Sequence, residues 1–385
     1  MTFDERVQAV AKKGFTERQS RFLTTVMLHT GVCVPRQYAR FCGIVYGAKT
    51  RKFFAKLVRL QYASVYDCRH NRARIYHVNQ RALYAAIGEA DSSLRKPVTL
   101  NRAIQRLMVL DAIVEDADLV WLGTTDEKAA HLLALTRIEE ADLPHVSVGE
   151  GEARTVRYFP DRLPIGIHLA GRGVAVYVVT DQSLDDFRVF LERHAALVRA
   201  LPAWTLRIVV PPQFPDIAQR AKQVVWNQLL TPLRTEVLDE LRWYFEQLRS
   251  HPTPSRSDDL DERFYEAREA FSAPRFKALY RAWKQDGEPP LASAGSRAIS
   301  DAVNAGAGHI ETLELGHRYG HLAPWLPSRE RTTFEFSARG VGAGPLGAER
   351  RCIHLRLAVI WVEHDSEGRG GLHRRHPQAN GRIVA

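Results

Sequence analysis

Along the first eighty residues, apolar positions recur first at helical spacing and then at strand spacing. Phe22, Leu23, Val26 and Met27 give one apolar face to a helix opened by Thr16-Glu17-Arg18-Gln19, whose Thr-x-x-Gln spacing is that of a capping box. Gly31 ends that helix, and Pro35 starts a short second one, Arg36 to Cys42. A third helix is predicted from Ala48 to Gln61, with Phe54, Leu57 and Val58 as its core face. The alternating runs Ser64 to Arg69 and Arg74 to Val78 flank the polar turn His70-Asn71-Arg72-Ala73 and predict a β-hairpin. Three short helices followed by a hairpin is the order of elements in a winged helix-turn-helix.

The pattern changes twice further on. Thr99 to Val114 predicts an amphipathic connecting helix, a candidate for homodimer contacts, and Asp126 to Thr136 another helix. Gly149-Glu150-Gly151-Glu152 offers nothing to bury and marks a boundary. Beyond it come three predicted strands (156–159, 163–169, 174–179), a helix (183–200) and the apolar strand Trp204 to Val210, which make a small α/β layer. Helical spacing returns from Pro215 to Arg249, with a break near Pro232, and from Arg263 to Trp283. Glu288 to Gly308 reads as a linker, and the tail after Asp365 as a poorly ordered, phosphate-attracting segment. The predicted class is α+β. Its parts are a winged helix-turn-helix at 1–90, a helical connector at 91–148, an α/β domain at 152–215, a helical region at 216–285, and a linker and tail at 286–385.

Charge sharpens this picture. The 385 residues carry a net charge of +10. Residues 1–110 hold 20 Lys and Arg against 6 Asp and Glu, and the remaining 275 hold 34 against 38. A basic segment joined to a near-neutral body is the footprint of a nucleic-acid-binding unit. In the third helix Lys49, Lys52, Lys56 and Arg59 recur at helical spacing as a cationic stripe, with Arg51 beside them. Arg36 and the hairpin residues Arg69, Arg72 and Arg74 complete the candidate double-stranded DNA contacts. No segment reaches the roughly 20 apolar residues of a bilayer-spanning helix, and the four cysteines form no CxxC pair. A cytoplasmic protein that does not engage membranes is expected.

Three other chemistries have partial signals in the chain. Gly43 to Thr50 imitates a phosphate-binding loop, but Ala48 replaces its second glycine and a helix precedes it. His317 and His321 are four apart but lack the glutamate of an HExxH site. The α/β order matches that of restriction-endonuclease-like folds, in which Asp161 would be the first carboxylate. The strand Val174 to Val179 supplies neither the acid nor the lysine of such a site, and Asp181 lies past its end. No cofactor, no metal and no catalytic activity are therefore expected.

The helix opened by Thr16-Glu17-Arg18-Gln19, the wing ending at Ile75-Tyr76-His77-Val78, and Phe159-Pro160-Asp161 leading into two strands together resemble replication-relaxation-type proteins of plasmids and integrative elements. The resemblance covers about residues 15–215. It implies a DNA-binding regulator, or an accessory of replication or mobilisation with a replication or transfer protein as partner. The alternatives are a metal-dependent nuclease with a displaced carboxylate set, or an α/β module that docks a protein of a replication or transfer complex.

Overall fold

The computed structural model describes residues 1–319 other than 69–72, 117, 137, 150–154, 169–170, 181, 213, 215 and 251–261. The chain is a mixed α+β protein. Its first part comprises α1 (Phe3–Ala11), α2 (Glu17–His29), β1 (Val32–Cys33), α3 (Pro35–Phe41), α4 (Ala48–Arg59), β2 (Ala63–Asp67), β3 (Arg74–Val78) and α5 (Arg81–Ala86). Thr16 caps α2 through the expected box with Gln19. The strands β1, β3 and β2 lie in that order in one antiparallel sheet. Gly31, at φ +69°, turns the chain from α2 into β1, where a Cβ would stand 2.6 Å from the Leu94 carbonyl. Phe22, Leu23, Tyr38, Phe53, Phe54 and Leu57 fill the space between the helices and this sheet.

The connecting helix appears as α6 (Leu100–Glu115), capped by Thr99. It is followed by β4 (Leu119–Leu122), α7 (Thr125–Leu135), β5 (His145–Val148), β6 (Thr155–Tyr158), β7 (Ile165–His168), β8 (Gly173–Val178), α8 (Asp185–Ala200) and β9 (Trp204–Val210). Then come α9 (Ile217–Val225), a π-helical turn, α10 (Thr235–Ser250), α11 (Glu262–Ala270), α12 (Pro274–Asp286), α13 (Pro289–Gly295), α14 (Ala298–Asn304) and β10 (Gly308–Glu314).

Two sequence expectations fail here. The strand predicted at 156–159 is not in the main sheet: β6 pairs only with β5 as a separate ribbon. Its place beside β7 is taken by β4, so the sheet order is β10-β9-β8-β7-β4. Strand β6 is exposed along most of its length, whereas β4 buries Leu119 against the core. Burial decides which run joins the sheet. The second failure is the expected linker. It holds α13 and α14 and leads into β10, which runs parallel to β9. Leu291 and Ile299 are buried anchors within an otherwise small and polar composition.

Both faces of the five-stranded sheet are covered. On β8, Val174, Val176 and Val178 pack on α6, while Tyr177 packs on the other side against Phe187 and Phe190 of α8. Strand alternation explains this division. The same α6 also meets β1 and β3 through Val32, Val34 and Ile75, so one helix lies between the two sheets. Polar groups fix its register. Gln37 donates to the Leu107 carbonyl at 2.8 Å, and Arg36 meets both oxygens of Asp111 at 2.6 Å. The Tyr319 hydroxyl, beyond β10, donates to the same carboxylate at 2.5 Å.

Asp111 is 5% exposed, so removing it strands the Arg36 guanidinium in a largely enclosed place. Breaking a buried pair on one side typically costs about 3–5 kcal/mol. We expect Asp111→Ala to lose that much in urea unfolding followed by circular dichroism. Adding Arg36→Met should return part of the loss, because no charge then stays unpaired. Additive losses in the double variant would refute a coupled clamp.

Candidate nucleic-acid interface

Helix α4 has two unlike faces. Thr50, Phe53, Phe54 and Leu57 are buried, and the opposite face exposes Ala48, Arg51, Lys52, Ala55 and Arg59. The spacing i, i+3, i+4, i+7 and i+11 places these five on one line of the helix. The alanines at 48 and 55 keep that line low, so the helix backbone can approach a partner closely between the cations. Gly47 caps α4 without a side-chain hydrogen bond, and no acidic residue occupies the first turn. The first-turn amides therefore face outward with the positive end of the helix dipole.

The predicted cations divide into distinct groups. Lys49, Arg51, Lys52 and Arg59 are exposed, and no ion pair involves them among the described residues. Lys56 sits differently from the expected stripe. Its ammonium donates to the Gly14 carbonyl and lies 4.8 Å from the centre of the Phe15 ring, which ties α4 to the loop before α2. Val58, expected in the core, is 40% exposed instead, and Phe53 takes the buried position. Phe54 and Leu57 lie on the buried face as expected, and Thr50 and Phe53, one turn earlier, complete it in place of Val58.

Arg36 is engaged with Asp111 of α6. Arg74, on β3, pairs with Asp67 across the hairpin at 3.0 Å, with both side chains largely exposed. Exposed pairs of this kind hold weakly, so Arg74 stays available to a phosphate. Arg69 and Arg72 lie outside the described residues. Thr50, which a phosphate loop would present to a metal, is buried. His321 also lies outside the described residues, while His317 follows β10.

The nuclease-like position has its own geometry. Asp161 is in the turn between β6 and β7, and Arg193 of α8 contacts both of its oxygens at 2.7 Å. A carboxylate held this way has both oxygens in contact with a cation. Strand β8 presents no acid, Asp181 lies outside the described residues, and no group of three His, Cys, Asp or Glu side chains could hold a metal among the described residues. The turn itself is strained: Phe159 and Arg162 adopt φ +46° and +54°, a region that non-glycine residues rarely occupy. Lys128 pins it from α7 by donating to the Leu163 carbonyl at 2.9 Å, and burial pushes its ammonium down to about 8.

Sequence reasoning also missed His194. It is buried beneath the same turn and stacks on Phe190 with ring centres 4.0 Å apart. Burial pushes its imidazole down to about 4, with Asp161 acting in the other direction. One signal existed: His194 falls four residues after Phe190 on the apolar face of α8.

Among the described residues, no helix is long and apolar enough to cross a membrane. No protein-family model matches the chain, nor does any curated protein or solved structure.

Two outcomes follow from this geometry. With Asp161 engaged by Arg193, Mg²⁺ or Mn²⁺ should produce no cleavage of plasmid DNA, and cleavage that disappears in Asp161→Ala would refute this. For His194 the folded state favours the neutral imidazole, so its contribution is present above the unfolded value of 6.5 and is lost as pH falls toward 4. Thermal unfolding across that window should show a loss of about 1.4 kcal/mol per pH unit from this group. The loss should be absent in His194→Gln. Equal slopes in both proteins would place the titration elsewhere.

Proposed function

We propose that the chain is a non-enzymatic, sequence-specific DNA-binding protein of the cytoplasm that lays α4 in the major groove of a duplex. The order α2, β1, α3, α4, β2, β3, with the sheet order β1-β3-β2, supports a winged helix-turn-helix reading. The observation that carries the proposal is the open face of α4. There Arg51, Lys52 and Arg59 form no ion pair among the described residues and share their line with Ala48 and Ala55, on a helix whose other side is anchored by Phe53, Phe54 and Leu57. Guanidinium groups reach the acceptors of guanine in the major groove, and ammonium groups reach phosphates. The β2–β3 hairpin, with Arg74 on its second strand, is the wing of this reading. The resemblance to replication-relaxation-type proteins supports a role as a regulator, or as an accessory of replication or mobilisation on a mobile element.

The side chains make separable predictions. Lys52→Ala should weaken binding to all duplexes alike and flatten the slope of log affinity against log salt by about 0.9. Arg51→Ala, if it removes a base contact, should cost about 1–3 kcal/mol on the cognate site and little on random DNA. Lys56→Ala should instead lower stability by about 1–2 kcal/mol through the lost Gly14 and Phe15 contacts, with its salt slope unchanged. Fluorescence anisotropy at several salt concentrations, with circular dichroism as the folding control, measures all three. Folded Arg51→Ala and Lys52→Ala proteins that bind as wild type would move the basic charge to another partner.

A further inference from the structure

A cleft of about 330 Å³ opens where α2, α6, the strained turn before β7 and α8 come together. Four arginines line it: Arg102 and Arg106 from α6, Arg162 from the turn, and Arg193 from α8. Two carboxylates share it. Asp161 is already held by Arg193, and Asp186 sits in the exposed first turn of α8. The other three guanidinium groups form no ion pair among the described residues. Arg102 donates to Gln105 at 2.8 Å, and Arg162 donates to the Ser93 hydroxyl. The Nη1 of Arg106 is shielded from solvent and has no hydrogen-bond partner among the described residues.

Such a cluster is electrostatically incomplete. Burial, with Arg102 and Arg162 adding to it, pushes the Arg106 guanidinium down to about 10. A buried donor without a partner is costly, and natural proteins keep few of them. Leu94, Val109 and Tyr177 add apolar surface to the same cleft. The volume lies at the lower end of the range for small-ligand sites, and cations beside apolar walls suit a molecule with an anionic head and an apolar or planar body.

We propose that this cleft binds a small organic phosphate of about mononucleotide size, with Arg106 and Arg162 gripping the phosphate. Guanidinium forks match phosphate oxygens two at a time, and Arg106 and Arg162 both line the cleft with no carboxylate partner among the described residues. The cleft is distinct from the open face of α4 and stands independently of the DNA-binding reading. It is too small to admit a duplex.

The test is calorimetric titration of the full chain with adenosine monophosphate, adenosine triphosphate, glucose 6-phosphate and inorganic phosphate at fixed salt. At least one organic phosphate should bind at a single site, at least tenfold more tightly than inorganic phosphate. Arg106→Gln and Arg162→Gln should each weaken that binding tenfold or more, while Arg51→Ala and Lys52→Ala leave it unchanged. Arg106→Lys keeps the charge but loses the fork, so it should also lose several-fold, and it carries the test if Arg106→Gln fails to fold. The proposal is overturned if none of the three organic compounds titrates at millimolar concentration, if they bind no better than inorganic phosphate, or if binding survives undiminished in the folded arginine variants. Loss of duplex binding in Arg51→Ala with the phosphate site intact would bear on the DNA reading alone.

Discussion

One buried carboxylate holds together the parts that sequence keeps far apart. Asp111, in the later turns of α6, receives Arg36 from α3 and Tyr319 from beyond β10. A charge this enclosed is tolerated only where its partners are fixed, and fixing them sets where α3 and the chain after β10 must lie. The apolar stripe of α6 does the rest, packing on Val174, Val176 and Val178 on one side and on Val32 and Ile75 on the other. The unit that carries α4 is therefore not tethered to the α/β body by a loose connector. It shares a core with it. Arg40 to Glu115 at 2.9 Å and Arg207 to Asp116 continue the same seam at the end of α6.

The cations of the first hundred residues show what sequence conveys and what it leaves out. Their concentration is plain from counting, and so is the helix that carries Lys49 to Arg59. Their division of labour is not. Arg36, Lys56 and Arg51 look alike in the sequence, yet the first is engaged by a carboxylate 75 residues away, the second by a backbone carbonyl 42 residues away, and the third is free. Long-range partners set which charges remain for a ligand, and no local pattern encodes those partners. Phe53 and Val58 make the same point within one helix, since both are apolar and only tertiary packing decides which is buried.

Elements with strong local signals were legible: the box at Thr16, the proline that opens α3, the hairpin, the amphipathic helix after Thr99 and the apolar strand β9. The misread strands are those whose place depends on pairing. Strand β4 has four residues, two of them only part-buried, and it joins the sheet through β7, more than 40 residues later. Strand β10 follows small, polar helices and finds β9 a hundred residues back. Asp161 is legible as a turn residue before a strand, but its partner Arg193 and the buried His194 beneath it come from α8, whose facing is not fixed by spacing alone.

Helix α6 also joins the two candidate sites physically. Its first turns present Arg102 and Arg106 to the cleft, and its later turns hold α3 through Leu107 and Asp111. Arg106 and Leu107 are adjacent, so a helix held rigid by its backbone hydrogen bonds cannot move at the first without moving at the second. Neutralising the cluster of Arg102, Arg106 and Arg162 would remove repulsion that acts on α6 and on the strained turn at Arg162. Helix α3 packs directly against α4 through Tyr38, whose ring lies 4.4 Å from that of Phe53. The path from cleft to open face thus runs along α6, across its polar contacts to α3, and through the Tyr38–Phe53 contact to α4. Coupling along it requires that the two ends favour different positions of α6, because a ligand shifts an equilibrium only by its difference in affinity for the two states. The repulsion among Arg102, Arg106 and Arg162 is the structural feature that would create such a difference.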